Sequence, residues 1–218
     1  MKPKNKIILS FDLDFTLIDN KKGIVNSFNY ALERYNIPPL NNLKIEELIG
    51  IPLDIMFARV TDFETSLLTS MFRDYYGSKG IYQVNLFPDV IKKLEEFKTR
   101  GFILGVVTSK KQEMALKLLR YLEIDKYFDF ILGETNERKS KIDYRLKEIL
   151  FNKYPDYKFV VIGDHPNDKE FAEMLGCPFI GLLSGNHTAE QLKHSGTSKT
   201  IILKSIKEIT TEKIYSLF

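Results

Sequence analysis

KIILSFDLDFT, residues 6–16, carries the reading of the fold. Residues 6–11 form a short apolar run, and such a run without polar alternation reads as a strand buried on both faces. It stops abruptly at Asp12, with Asp14 and Thr16 close behind. Polar, charge-bearing residues therefore cluster where the strand leaves the core.

The same grammar recurs along the chain. FILGVV (102–107) and FVVIG (159–163) read as further buried strands, and 128–132, 178–182 and 200–203 as weaker ones. Helical spacing of apolar residues falls between them, over 90–99, 112–122, 142–153, 167–175 and 189–194. Strands alternating with helices predict an α/β fold, a Rossmann-like doubly wound parallel sheet with helices on both faces. Residues 20–85 break the alternation. Their apolar residues (Val25, Phe28, Ala31, Leu32, then Leu67, Leu68, Met71, Phe72) keep helical spacing, and the segment is too long for a loop in a compact domain. It reads as an inserted helical domain, 20–85, within a core made of 1–19 and 86–218.

Composition narrows the function. Of 218 residues 44% are apolar and 28% charged, an ordinary globular balance. Lys and Arg number 32 against 29 Asp and Glu, with no basic block, which argues against a nucleic-acid partner. Cys177 is the single cysteine, so neither an internal disulfide nor a cysteine zinc site is expected. The N-terminal apolar run is short for a secretory signal, and no stretch reaches membrane-span length. A cytoplasmic location with no membrane partner is the expectation.

Three strong strands each run into polar groups: Asp12, Asp14 and Thr16 after the first, Thr108 and Ser109 after the second, Asp164 and Asp168 after the third. In open parallel sheets ligands gather beyond the carboxyl ends of the strands. Clustered carboxylates repel one another unless a cation lies among them. All-oxygen ligation suits Mg2+, and Mg2+ suits phosphoryl chemistry. Thr108 and Ser109 can bind phosphate oxygens, and a lysine from the stretch Arg138-Lys139-Ser140-Lys141 completes the charge balance.

These residues resemble the motifs of the haloacid dehalogenase-like hydrolase superfamily. FDLDFTLID (11–19) resembles motif I, VVTSK (106–110) motif II, SKIDYRLKEIL (140–150) the motif III helix, and VVIGDHPND (160–168) motif IV. The 20–85 insert is similar to a C1-type cap, and LIGIPLD (48–54) to the cap loop of phosphoglycolate phosphatase-like members. The resemblance implies a Mg2+-dependent phosphatase acting on a small phosphorylated metabolite. Asp12 would be the nucleophile and Asp14 the general acid and base. Mg2+ would be held by the Asp12 carboxylate, the Asp14 carbonyl, Asp164 and Asp168, the last directly or through water. Thr108 and Lys141 would grip the phosphate. Phe15 stands where many members carry glycine. Motif III lacks the usual Lys-Pro start, so Lys139 and Lys141 compete, with the distance of Lys141 from Asp164 favouring it.

Alternatives share parts of this pattern. A phosphomutase uses the same motif I chemistry; a 2-haloacid dehalogenase needs neither Asp14 nor the metal; a receiver-like phospho-acceptor carries no cap. Within the insert, Gly50-Ile51-Pro52-Leu53, Arg59 and Lys44 are candidates for recognising the leaving group, and Thr16, Ser109, Arg59 and Lys139 for other substrate contacts. Thr108 also reads as a helix N-cap and Asp168 as a helix-start acid. His187 and His194 read as surface positions, and Cys177 as a small buried residue.

Overall fold

The structure, a computed structural model, describes residues 6–138, 140–193 and 196–218. The chain divides into two compact units, 1–18 with 86–218, and 19–85. In chain order the elements are β1 (Ile7–Phe11), β2 (Ile18–Asp19), α1 (Lys21–Arg34), α2 (Asn42–Leu48), α3 (Leu53–Ala58), α4 (Thr65–Ser78) and β3 (Asn85–Leu86). They continue with α5 (Val90–Thr99), β4 (Ile103–Lys111), α6 (Gln112–Tyr121), β5 (Phe130–Glu134), α7 (Tyr144–Lys153), β6 (Lys158–Gly163) and α8 (Pro166–Leu175). The last are β7 (Phe179–Leu182), α9 (Ala189–Lys193), β8 (Thr200–Leu203) and α10 (Thr211–Tyr215).

The first unit is built on a six-stranded sheet of order β5-β4-β1-β6-β7-β8, parallel throughout. All five residues of β1 are buried, the polar Ser10 among four apolar residues included, as befits a central strand. Alternate residues of β1 serve opposite faces. Ile8 joins a core with Phe159 and Val161 of β6, Leu146 and Leu150 of α7 and Phe171 of α8. Phe11 stacks instead on Phe97 of α5, with ring centroids 6.2 Å apart. From β1 the chain builds outward on one side through β4 and β5, then returns to build the other side through β6, β7 and β8. β1 is thus the switch point of the sheet, where a crevice opens at the carboxyl edge. The register pairs Phe11 with Val106 and with Ile162, so Asp12, Thr108 and Asp164 all follow closely on one paired row at the same edge.

Several boundaries differ from the sequence expectation, and for some the reason is visible. β4 continues past Val107 to Lys111, with a shift of register against β5 between those residues. α7 begins at Tyr144 rather than at 142, because Asp143 takes the N-cap and its side chain accepts from Arg145 N. β5 starts at Phe130, since Asp129 turns its carboxylate onto Leu104 N (3.0 Å) and Lys98 Nζ (2.9 Å).

The second unit is helical. Phe28 of α1 stacks on Phe57 of α3 at 4.2 Å, and Tyr30 meets Tyr75 of α4 at 4.5 Å. A side chain at Gly23 would put a Cβ 2.2 Å from Gly80 O, so glycine lets the two backbone segments approach. Among the described residues no helix is long and apolar enough to cross a membrane.

Candidate active site

Asp12 leaves β1 with its N–H still bound to Ile162 O (2.8 Å), which carries the carboxylate to the crevice between β1 and β6. Asp164 follows β6 directly. Asp168 stands in the first turn of α8, where its Oδ2 accepts from His165 N at 3.0 Å in a reciprocal cap. The helix-start reading of Asp168 therefore holds, and the other oxygen is free to face the crevice. Oxygens of Asp12, Asp164 and Asp168 lie within 4.8 Å of one another, all three residues buried. Lys141 Nζ, 5% exposed, donates to Asp12 Oδ1 and to Asp168 Oδ1 (2.5 Å). Thr16 Oγ1 donates to Asp164 Oδ1 at 3.1 Å.

Burial dominates the electrostatics. It raises Asp12 to about 7, opposed by Lys141 and reinforced by Asp168 and Asp14. Asp164 is raised well above the usual carboxylate range by burial, then by Asp12 and Asp168. Burial would lower Lys141, but Asp12 and Asp168 outweigh it and hold the ammonium charged. Asp14 is less buried, and its Oδ2 lies 3.1 Å from Lys110 Nζ. When all four carboxylates are ionised, the two ammonium groups leave two negative charges, which one divalent cation would balance; burial raises Asp12 and Asp164 where no such charge is present. Three converging carboxylates are hard oxygen donors, so the residues present fit such an ion.

Several sequence candidates sit differently from expectation. Lys139 and His194 lie outside the described residues; Lys141 is at the cluster. Thr16 turns its hydroxyl to the Asp164 carboxylate. Thr108 is buried, but it does not cap α6, whose N-cap is Lys111; its Oγ1 accepts from Lys110 N at 3.2 Å. Ser109 is exposed. Arg59 at the end of α3 and Lys44 in α2 are exposed residues of the helical unit. Phe15 adopts φ 57°, the left-handed conformation a glycine takes without cost, and Ser184 Oγ donates to its carbonyl at 2.5 Å. His165 spends Nδ1 on Asn167 N (3.0 Å). His187 is not a simple surface residue: it is half-buried, its ring 4.3 Å from that of His165, and burial followed by His165 lowers its pKa. Cys177 is buried, which pushes its thiol up to about 12.

Lys110 and Gly185 were missed. Lys110 lies inside VVTSK, but nothing local says where it points. Gly185 follows β7, a strand whose carboxyl end obeys the same edge rule as its neighbours. A Cβ there would stand 1.9 Å from Asp164 Oδ2, so only glycine lets this loop approach the carboxylate. Gly185→Ala is expected to displace Asp164 and weaken divalent-cation binding by about 10- to 100-fold, the usual range for disturbing a ligand's support. Calorimetric titration with Mg2+ checks this; wild-type affinity in the variant would show that the loop yields instead.

A family model described as haloacid dehalogenase-like hydrolase matches residues 8–182. A relative from Caldanaerobacter subterraneus subsp. tengcongensis, provisionally named pyrophosphatase PpaX, is 31% identical, over 72% of this chain and 73% of its own. Phosphoglycolate phosphatase of Photorhabdus laumondii is 26% identical, over 84% and 83%. Among solved structures, the haloacid dehalogenase-like family protein SP0104 from Streptococcus pneumoniae superposes with a TM-score of 0.81 at 28% identity, over 93% of this chain and 96% of that one.

Proposed function

The chain belongs to the haloacid dehalogenase-like hydrolase family, and on that premise we propose that it is a Mg2+-dependent phosphatase that acts on a small phosphorylated metabolite through an aspartyl-phosphate. The observation that carries this reading is the buried cluster of Asp12, Asp164, Asp168 and Lys141 at the switch point of the sheet.

Asp12 attacks phosphorus; its Oδ–P bond forms as the bond to the leaving oxygen breaks. Asp14 gives that oxygen a proton. It then takes one from water, whose oxygen attacks phosphorus, breaks the Oδ–P bond and restores Asp12. Lys141 holds the nucleophile in one orientation and offsets its charge. Thr108 supplies a hydroxyl to the phosphoryl oxygens. Asp12, Asp164, Asp168 and the Asp14 carbonyl would hold Mg2+, which when bound neutralises charge on the phosphoryl oxygens. We assign the choice of metabolite to the helical unit, acting as a cap, with Arg59 and Lys44 as the cations to test there. The even charge balance of the chain supports a small substrate over nucleic acid.

A screen of the purified protein tests the reading, with phosphoglycolate, other phosphorylated metabolites, pyrophosphate and nitrophenyl phosphate as substrates. Phosphate release is expected with Mg2+. EDTA should lower it by at least about 100-fold, consistent with a charge-stabilising role. Ca2+ should restore little, because its looser and higher coordination suits Asp12 poorly as a nucleophile. No release from any compound would overturn the phosphatase reading, and full rates in EDTA the metal. A requirement for a bisphosphate activator would point to phosphoryl transfer between sugars.

A further inference from the structure

Asp14 must reach the same oxygen twice, once to give a proton and once to take one from water. Its backbone is well held: Phe15 N donates to Ile18 O at 2.8 Å, and Ser184 Oγ secures the Phe15 carbonyl. Its carboxylate still turns on two side-chain torsions. Unlike Asp12, Asp164 and Asp168, it does not belong to the cluster of carboxylates that close on one another. Its aim is therefore set from outside that cluster.

Lys110 is placed to do so by an irregularity of β4. Val107 pairs with Leu132 and Lys111 with Glu134, so β4 gains residues against β5 between them, and such an irregularity re-aims the side chains around it. The irregular segment is not loose. Lys110 N donates to Thr108 Oγ1 at 3.2 Å. Gln112 ties α6 to β5 through Ile131 O (3.0 Å) and Gly133 N (2.6 Å). Gly133 packs so tightly that a Cβ on it would stand 2.5 Å from Lys110 O. The Lys110 side chain is only 10% exposed and brings Nζ to 3.1 Å from Asp14 Oδ2, whose side chain is 29% exposed. An ion pair between flexible surface chains contributes little. Here one partner is confined before the pair forms, so the contact serves orientation more than stability.

We propose that Lys110 is a positioning residue for Asp14, its ammonium holding the carboxylate in the orientation that proton transfer at the reacting oxygen requires. The inference rests on the phosphatase reading above. It divides the labour of the two lysines: Lys141 serves Asp12 and Asp168, and Lys110 serves Asp14.

The test compares Lys110→Met and Lys110→Arg with wild type on two esters, nitrophenyl phosphate and an alkyl phosphate that the wild type hydrolyses. Methionine keeps the packing of the lysine stem and removes the charge. A misplaced acid matters most where the leaving oxygen needs its proton. Lys110→Met is therefore expected to lower kcat on the alkyl ester by about 100-fold, the scale of a misplacement near 1 Å, and on the nitrophenyl ester by less than about 10-fold. KM should stay within about twofold on both, and Lys110→Arg should recover most of the loss. If Lys110→Met does not fold, Lys110→Gln is read in its place, by the same ratio of the two esters. Raised KM with unchanged kcat would overturn the proposal, since Lys110 would then touch substrate. So would equal loss of kcat on both esters without rescue by arginine, the mark of a residue that only shapes the bulge. Wild type hydrolysing both esters and Lys110→Met matching it would overturn Lys110 alone. Wild type hydrolysing neither would overturn the phosphatase reading and this inference with it.

Discussion

Asp12→Asn is expected to lower phosphate release by at least about 10⁴-fold, as loss of a covalent nucleophile does, while leaving the fold intact. The amide is almost the same size but a poor nucleophile. Stability should move the other way from activity. The folded protein holds the Asp12 proton up to a pH of about 7, whereas the unfolded chain releases it near 3.8. The folded state therefore binds more protons between those values, and stability falls as pH rises through that window. The penalty is absent below about 4 and complete above about 7. Without divalent cation, Asp12→Asn should melt at or above the wild-type temperature at pH 8, with the difference shrinking toward pH 5. Thermal melts in EDTA at both pH values check the sign, and steady-state kinetics with Mg2+ check the chemistry. Turnover near wild type would sink the covalent mechanism. A variant clearly less stable at pH 8 would show that the contact with Lys141 outweighs the burial of the charge.

Lys141→Met carries the second large effect. It leaves Asp12, Asp164 and Asp168 facing one another with no buried cation among them, and breaking a buried pair by removing one partner costs about 3–5 kcal/mol. In EDTA at pH 8 the variant should lose about that much stability in denaturant titrations. At pH 5 the loss should shrink, because burial already raises Asp12 and Asp164 and protonation then removes the repulsion. Activity with Mg2+ should fall by about 10³-fold, the scale of removing a group that stabilises transition-state charge. The double variant Asp12→Asn with Lys141→Met should regain part of the stability and none of the activity. Lys141→Met melting and turning over as wild type would hand the role to Lys139.

Much of the site was legible because its evidence is local. A buried apolar run ending in Asp12 or Asp164 is a pattern of neighbouring residues, and the parallel sheet then dictates that all such ends lie on one edge. The chain supplied that inference through βαβ alternation alone. Lys110 was not legible. Its aim depends on the slipped register of β4 and on the bare backbone of Gly133, and neither leaves a mark in VVTSK. His187 was taken for a surface residue because a histidine in a polar stretch says nothing of the histidine 4.3 Å away.

The order of strands and helices, the helical insert and the carboxylates at the strand ends were determined by the sequence itself, since periodicity and the abrupt change from apolar to charged residues are properties of adjacent positions. The tertiary structure alone decided that Lys141 bridges Asp12 and Asp168, how far burial raises Asp12, that Thr16 meets Asp164, and that Phe15 takes a left-handed turn. These are consequences of groups brought together across the chain, as Lys141 and Asp12 are across 129 positions. Charge and desolvation act through space, and the distances that set them exist only once the sheet has assembled.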